Sequence, residues 1–446
     1  MDRKTKDLIV VGFALFSMFL GAGNLIFPPY LGLHSGENWV PVLAGFILTG
    51  VGLPFLGVYA TIRSGGTIMT LARHVGRPFG RLLGIIVVLS IGPMFAIPRT
   101  AATTHEVGVA SIAPNVPLTV TTTVFFLVVL LISINNSKVV DTLGKFLTPF
   151  LIVTLLAIVI ASFVHPVGTP GAPLDPTYNF AGGFTEGYQT MDALAATMFA
   201  GVALSSIVAR GYNIREEQLS MTIKAGLIAS IGLAIVYIGL TFGGAGSTSA
   251  FPADVSRPEL LIGMTGRLLG SIGAYCLSLA ISLACLTTAV GLAVTCGEYF
   301  SELSHGKLSY KLVVIITVVA SWIISSLGVT GIINLAVPFL FLLYPVLMAL
   351  IICNIFDRFI PNKNAYIGAV AGAFLVSIID ALSTVGALGI QAAWIDSLVA
   401  FGKTLPLAGF GLGWLIPAIV LAVLFSFLPR RKVDTGVTME VFDEQA

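Results

Sequence analysis

The feature that most constrains this chain is a succession of apolar runs, each long enough to form a helix that crosses a lipid bilayer. A membrane helix needs about 20 mostly apolar residues, and such runs follow one another from Leu8 almost to the end of the chain. Only 10% of the residues are charged, whereas a soluble domain carries about 25%. The pattern predicts an all-α integral membrane protein with about twelve transmembrane helices, at residues 8–33, 39–62, 82–112, 117–135, 144–164, 183–209, 222–243, 267–298, 312–327, 332–355, 364–385 and 408–428.

The distribution of basic residues predicts the orientation, because cytoplasmic loops of membrane proteins are enriched in Lys and Arg. Nineteen of the 23 Lys and Arg residues fall in alternate connections. The connections on the other side contain only Arg257, Arg267 and Lys403. Both termini are therefore predicted to be cytoplasmic, in a multi-pass protein of the cell membrane.

The order of the spans permits an internal repeat. If each span crosses once, span six begins on the side opposite to span one, so spans one to five and six to ten have opposite orientations. We predict a single transmembrane domain, 1–430, that contains two inverted repeats, 8–164 and 183–355, and two added helices, 364–428. Residues 431–446 are then a cytoplasmic tail, and the polar, Gly-marked region 386–407 is either a re-entrant segment or a surface helix.

The first span is interrupted near its middle by Gly21-Ala22-Gly23-Asn24 and then by Phe27-Pro28-Pro29. Glycines, an amide and two prolines disfavour a regular helix. Within a membrane, unwound backbone persists only where it is buried in protein or lines a polar cavity. Broken helices of transporters bind anionic groups at the N–H end of one half and cations at the carbonyl end of the other. A proline kink used only for packing is the alternative.

Two further spans carry polar residues of the kind that mark functional sites in membranes. The sixth span reads Glu186-Gly187-Tyr188-Gln189-Thr190-Met191-Asp192, and a carboxylate within a membrane helix is a functional candidate by default. In the third span, Arg99 and Glu106 are seven residues apart and are predicted to share one helix face. The alternatives are structural: Asp192 lies near the outer surface or pairs with Arg99, and the third span forms an internal ion pair.

The eighth span has small and hydroxyl residues at its middle, including Ala284, Thr287 and Thr288. One carbonyl and one or two hydroxyls at this spacing can converge on one point, and such hard oxygen ligands suit Na⁺. Hydroxyl side chains in membrane helices are also commonly bonded back to their own helix or packed against neighbours. On this motif alone, both interpretations stay open.

Several classes of protein are excluded. The chain contains no phosphate-binding loop, GxSxG or HExxH motif, and no soluble domain to hold one, so the sequence predicts no enzyme. Its basic residues do not form the stripe that nucleic acid requires. The four cysteines fall in apolar segments without metal-ligand spacing and are interpreted as reduced packing residues. A channel stays the alternative from another class, although a channel would more naturally show a repeated filter or a charged ring.

The blocks FALFSMFLGAGNLIFPP, IPRTAATTHE, EGYQTMDALAATMF and CLTTAVGL, spread over the whole chain, resemble those of the branched-chain amino acid:cation symporters, the LIVCS or BrnQ-type carriers. The resemblance implies the five-plus-five inverted repeat of the LeuT-like APC superfamily, with discontinuous helices one and six. It implies uptake of leucine, isoleucine and valine into a bacterial cell, coupled to Na⁺ or, less often, to H⁺. Besides these substrates, the coupling ion and the lipid bilayer, it implies no cofactor and no obligate protein partner.

The resemblance also implies site residues. The break of helix one would bind the substrate through Gly21, Ala22, Gly23 and Asn24, with Asn24 close to an ion. A sodium ion would be held by carbonyls of Ser17, Leu20 and Ala284 and by the hydroxyls of Thr287 and Thr288. In helix six, Thr190 and Asp192 are the candidates. Asp192 has no clear counterpart in distant relatives, and it could carry a proton instead.

Overall fold

The computed structural model describes residues 2–134, 139–390 and 392–429, and the regular structure of these residues is helical. The first half contains α1 (Arg3–Phe19), α2 (Ala22–Ser35), α3 (Trp39–Ile47), α4 (Leu53–Ser64), α5 (Ile68–Leu71), α6 (Arg77–Leu89), α7 (Ala96–Thr103), α8 (Leu118–Ile134) and α9 (Val139–Val164). The remainder contains α10 (Phe180–Glu186), α11 (Asp192–Val208), α12 (Arg215–Ala245), α13 (Arg257–Leu303), α14 (Tyr310–Ser325), α15 (Gly328–Ile355), α16 (Lys363–Thr384), α17 (Ala393–Thr404) and α18 (Leu415–Ser426).

Many of these helices are long and apolar enough to cross a membrane. Among the described residues, six helical stretches meet that criterion, and the bent pair Phe180–Thr190 and Asp192–Val208 makes a seventh. Four shorter apolar helices, Leu118–Ile134, Pro149–Val164, Tyr310–Ser325 and Leu415–Ser426, lie where further spans are predicted. The all-helical membrane fold is therefore confirmed, whereas the number of about twelve spans stays a prediction.

The first span is broken at the start of its glycine-rich interruption. α1 ends at Phe19, and only Leu20 (φ −73°, ψ 74°) and Gly21 (φ −92°, ψ −174°) separate it from α2. Asn24, Pro28 and Pro29, which were also expected to disfavour a regular helix, lie inside α2. Interior prolines cost backbone hydrogen bonds, but a helix enclosed by its neighbours tolerates them, and nearly every residue of α2 is buried.

The sixth span is broken at Met191. A 3₁₀ turn, Gly187–Thr190, follows α10, and Met191 then adopts a left-handed conformation (φ 62°, ψ 9°) that is unusual for a residue with a side chain. The two halves are bent by 44° relative to each other. The span therefore divides into a short half, α10, and a long half, α11, which begins at the buried carboxylate Asp192.

The third span contains two π-helical turns, Ser90–Met94 and Thr104–Val109. In a π turn each hydrogen bond spans five residues rather than four, so the spacing expected for a regular α-helix no longer holds. The face shared by Arg99 and Glu106 stays a prediction. The two side chains have separate partners: Arg99 donates to the Gln189 carbonyl, and a Glu106 carboxylate oxygen accepts a hydrogen bond from the Val329 N–H (2.8 Å). No ion pair joins Arg99 and Glu106 among the described residues.

The helix that contains the eighth span is also interrupted. Gly270 has φ +70° and ψ −172°, a conformation that favours glycine. It separates a short helix, 257–269, from the long helix of the eighth span, which therefore begins within a few residues of the predicted start at residue 267. The short helix begins with a capping box in which Ser256 and Glu259 bond to each other's backbone N–H groups.

Two pairs of glycines bring helices into backbone contact. A Cβ at Gly32 of α2 would lie 1.9 Å from the Thr241 carbonyl oxygen of α12, and one at Gly244 of α12 would lie 2.0 Å from the Pro29 oxygen of α2. The same reciprocal arrangement joins α3 and α10, where Gly45 meets the Phe180 oxygen (2.1 Å) and Gly183 meets the Val42 oxygen (1.9 Å). Small residues allow membrane helices to approach this closely.

Contacts between loops and helix ends occur at two opposite ends of the helical bundle. At one end, Asp7 pairs with Arg210 (3.7 Å) and Lys4 pairs with Glu217. These pairs connect the start of α1 to the start of α12 and the segment that precedes it. We call this the basic end. At the opposite end, the Leu174 and Glu37 N–H groups donate to the His34 and Gly171 carbonyls (2.9 and 2.8 Å).

The surface at the opposite end also includes a crevice of about 450 Å³, which Tyr188, Phe341 and Asp380 help to line. Close to it, hydrogen bonds from Thr177 hold the pKa of Asp175 below its usual range. The region 386–407 contains α17, a twelve-residue helix whose one buried residue is Ile395.

Candidate functional site

A buried polar cluster lies where the two broken helices meet. The side-chain amide of Asn24, in the first turn of α2, donates to the Asp192 carboxylate (2.5 Å) and to the Tyr237 hydroxyl oxygen (2.5 Å). Tyr237, from α12, donates to the same carboxylate oxygen at 3.4 Å. Asn24, Asp192 and Tyr237 are at most 3% exposed. Three spans are thus joined through one carboxylate deep in the protein.

The helix breaks supply backbone groups around this cluster. The Gly21 N–H donates to the Asn24 side-chain oxygen (3.2 Å), which caps the start of α2. At the other break, the Asp192 N–H donates to the Thr190 hydroxyl (3.3 Å), and that hydroxyl donates to the Gly187 carbonyl (3.0 Å). The N-termini of α2 and α11 therefore both face this region, where free N–H groups and helix dipoles favour negative charge.

A narrow cavity of about 30 Å³ lies between the two breaks. Six of the predicted site residues line it: Gly21, Ala22, Asn24, Thr190, Asp192 and Thr288. Its apolar wall includes Met18 and Phe199. Phe95 and Phe339 pack as an aromatic pair (5.3 Å between ring centroids) and are not among the residues that line the cavity. A space of this size suits about one or two water molecules, so the site is closed around its polar groups.

The predicted sodium ligands come from two helices, the end of α1 before the break and the middle of α13. Thr288 of α13 lies against Gly21, since its methyl carbon is 3.8 Å from where a Cβ of Gly21 would be. The buried hydroxyl of Thr288 has no hydrogen-bond partner in the described part of the chain. Thr287 instead donates to the Ala284 carbonyl (3.0 Å), but its oxygen keeps lone pairs for a cation. The donor set of neutral oxygens fits a hard monovalent cation.

Arg99 lies at the same junction, on α7. Its guanidinium donates to the Gln189 carbonyl (2.6 Å) just before the break in helix six, and only 3% of the residue is exposed. Across the junction, a Cβ at Gly23 would lie 2.7 Å from one of its terminal nitrogens. The alternative in which Arg99 pairs directly with Asp192 is not realised, because no such pair occurs among the ion pairs of the described residues.

Two contributors to the site were missed by sequence reasoning. Tyr237 stands alone in the apolar run LAIVYIGL, where a single tyrosine carries no signal of function. Gln189 contributes through its backbone carbonyl, which sequence patterns do not reveal. Tyr344 of α15 stacks on Tyr188 (4.3 Å between centroids) and closes the cluster on a further side.

These features together define a class of protein. A membrane-embedded helical bundle with two discontinuous helices, whose ends surround a small polar cavity, has the arrangement of a secondary transporter. The site has no nucleophile activated by a neighbouring base, and among the described residues no group of three or more His, Cys, Asp or Glu could hold a metal ion.

Comparison with known proteins gives the family. The family described as "Branched-chain amino acid transport protein" matches residues 4–432 of this chain. The branched-chain amino acid permease BraB of Bacillus subtilis (strain 168) is 39% identical over 429 residues, which cover 94% of each chain. The branched-chain amino acid transport system 2 carrier protein of Pseudomonas aeruginosa is 39% identical over 441 residues, 96% of this chain and 99% of that one. The chain belongs to this family of membrane transport proteins, and it is not an enzyme.

Solved structures support the fold. The inward-facing conformation of Mhp1 superposes with a TM-score of 0.58 at 15% identity and covers 94% of this chain and 90% of that one. MhsT in complex with L-phenylalanine gives a TM-score of 0.56 at 17% identity, with 94% and 98% covered. At these identities the similarity is one of fold, and the predicted LeuT-like fold is confirmed.

Proposed function

We propose that this protein imports leucine, isoleucine and valine into a bacterial cell by symport with Na⁺ and alternating access. The observation that carries the proposal is the polar junction of Asn24, Asp192 and Tyr237 at the meeting of two helix breaks. Membership in the branched-chain amino acid transport family supports the substrate class. No soluble domain is present in the described residues to couple another energy source.

The proposed substrate site is the cavity between the breaks. Its polar side consists of Gly21, Ala22, Gly23 and Asn24 at the start of α2 and of Thr190 and Asp192 across from them. Its apolar side, with Met18 and Phe199, suits a branched aliphatic side chain. Because the cavity is narrow in this conformation, binding of an amino acid requires the surrounding helices to move apart.

The proposed sodium site joins α1 to α13. The ligands are the carbonyls of Ser17, Leu20 and Ala284 and the hydroxyls of Thr287 and Thr288. Support comes from the Thr288 hydroxyl, which has no hydrogen-bond partner among the described residues, and from its position beside Gly21, where α1 has just ended. A sodium ion there would brace α13 against α1, and its release would free α1 to move.

The proposed topology has twelve spans and both termini in the cytoplasm. The basic end of the bundle would face the cytoplasm. The pairing of the spans supports an inverted repeat: α2 of span one packs on α12 of span seven, and α10 of span six packs on α3 of span two. A pseudo-two-fold axis that exchanges repeats 8–164 and 183–355 exchanges these two span pairs.

Uptake of labelled leucine into proteoliposomes is the direct test. A sodium gradient should drive accumulation without a proton gradient. Isoleucine and valine should compete with leucine, whereas lysine and glutamate should not, because a stranded side-chain charge costs several kcal/mol in an apolar site. Accumulation driven only by a proton gradient would show that the coupling ion is H⁺ rather than Na⁺, and Asp192 would then be the candidate proton carrier. Equal competition by lysine would refute the substrate class.

Cysteine labelling tests the topology. In a background with Cys276→Ser, whose three other cysteines are buried, single cysteines at the exposed positions Arg77 and Arg358 should react only when reagent reaches the cytoplasm. Cysteines at the exposed positions Thr169 and Ser249 should react with impermeant reagent added to intact cells. Labelling of position 358 in intact cells would reverse the orientation.

A further inference from the structure

Arg99 is a buried cation that forms no ion pair in the described part of the chain. No carboxylate oxygen of these residues lies within 4.0 Å of its guanidinium. One terminal nitrogen donates to the Gln189 carbonyl, and Nε has no hydrogen-bond partner among the described residues. The ring of Phe27 lies 5.5 Å away. Since burial of a charge without a close partner is costly, this arrangement favours an anion in contact with the guanidinium.

A second arginine, only partly buried, shows how the chain satisfies such a charge when its role is internal. Arg257 pairs with the Glu186 carboxylate at 2.8 Å and stacks on Tyr30 at 4.2 Å. It joins the helix before the eighth span to α10 and α2. Arg99 has a carbonyl where Arg257 has a carboxylate, although Arg99 is the more deeply buried of the two.

The position of Arg99 places its charge at the proposed substrate site. It lines the same cavity as Gly21, Asn24 and Asp192. Its close approach to Gly23 puts the guanidinium beside the first turn of α2, whose N–H groups and dipole also favour an anion. A guanidinium offers a planar fork of donors that matches a carboxylate in two parallel hydrogen bonds.

We propose that Arg99 binds the α-carboxylate of the transported amino acid, while Asp192 faces the α-ammonium group. The inference rests on the proposed function. It adds a fixed positive charge to a substrate site whose other proposed contributions are the backbone N–H groups at the helix breaks and the sodium ion. One fixed cation and one fixed anion, held on different helices by Gln189 and by Asn24 with Tyr237, select a zwitterion. A carboxylate alone or an amine alone satisfies only one of them.

The competing interpretation assigns Arg99 a structural role, in which its bond to the Gln189 carbonyl positions the break of helix six. The two roles predict different effects of an Arg99 substitution on the affinity for ligands with a carboxylate and for ligands without one. Loss of a substrate contact weakens only the ligand that makes it, whereas a displaced helix weakens every ligand that uses the site.

Equilibrium binding to the purified protein in nanodiscs separates these roles, with leucine and leucinamide as probes. The measurement is made below about pH 7, where the α-amino group of leucinamide (pKa about 7.7–8.0) is protonated like that of leucine. Arg99→Gln should weaken leucine roughly 30-fold, as for the loss of a hydrogen-bonded charge, and should change leucinamide less than about threefold by the same reasoning. The exposed control Arg267→Gln should leave both affinities unchanged.

Equal weakening of both ligands, or unchanged leucine binding, would overturn the proposal and leave Arg99 a structural residue. If Arg99→Gln fails to yield folded protein, Arg99→Lys decides. Lysine keeps the positive charge but lacks the planar pair of donors of the guanidinium group. The preference for leucine over leucinamide should therefore fall several-fold, while leucinamide still binds. Failure of the proposed function has a different result, since the unmodified protein would then bind neither leucine nor isoleucine.

Discussion

Gly244→Ala is expected to abolish most of the folded protein. The new methyl group would lie 2.0 Å from the Pro29 carbonyl oxygen, a contact with backbone that no side-chain rotation relieves. Overpacking ordinarily costs about 1–3 kcal/mol, and more where neighbours cannot move. The amount of monodisperse protein after detergent extraction and its thermal unfolding midpoint should both fall sharply, and Gly183→Ala, at 1.9 Å from the Val42 oxygen, should behave in the same way.

Gly226→Ala on the same helix, α12, is the matched control. Its nearest neighbour beyond the local helix backbone is a Phe55 ring carbon at 3.5 Å, an ordinary contact distance. There the substitution should be neutral or stabilise the helix by up to about 1 kcal/mol, because alanine has the higher helix propensity. If Gly244→Ala yields protein as stable as Gly226→Ala, α2 and α12 do not approach as closely as described.

Thr288→Ala is expected to raise the sodium concentration for half-maximal leucine uptake about tenfold, which corresponds to about 1.4 kcal/mol of lost ion binding. The variant removes the buried hydroxyl that has no protein partner. Removal of the hydroxyl therefore breaks no described hydrogen bond, although the substitution also removes the methyl carbon that lies against Gly21. Leucine affinity at saturating sodium should change less than the sodium dependence. The readout is the initial rate of uptake into proteoliposomes over a range of sodium concentrations.

Thr288→Ser keeps the oxygen and should preserve the sodium dependence of the parent protein, which separates ion ligation from packing. An alanine variant that transports normally with unchanged sodium dependence would place the ion elsewhere. Proton coupling through Asp192 would then become the stronger hypothesis, and uptake should follow an imposed pH gradient.

The site was predictable from sequence where polar or glycine residues interrupt an apolar run. The residues that stand out are Gly21 and Asn24 in the first span and Thr190 and Asp192 in the sixth. Residues that break a helix or carry polar groups are costly within the hydrocarbon region, so they are rarely found there unless they have a function. The structure brings Gly21, Asn24, Thr190 and Asp192 to one cavity. The function of each is a separate matter, and it stays a prediction until the variants are measured.

Other parts of the molecule left no usable signal. A π turn has no distinctive composition, so the two in the third span were not foreseen. Pro28 and Pro29 were weighed by the local cost of proline in a helix, but they lie inside α2, where the surrounding helices compensate that cost. The short helix 257–269 did have a signal, the capping pattern Ser256-x-x-Glu259, which the apolar runs concealed.

The glycine contacts of α2 have a mechanical consequence. Beyond the break, α2 is fastened to α12 through backbone on both sides of the contact, whereas α1 meets the same helix through side chains, with Ile228 2.8 Å from a Cβ built at Gly12. Side chains can repack as a helix tilts, but carbonyl groups pressed against glycine cannot. The stiffness of helix one therefore changes abruptly at Gly21. When the bundle changes conformation, helix one should bend at Gly21. α1 would then move, while α2 stays fixed against α12.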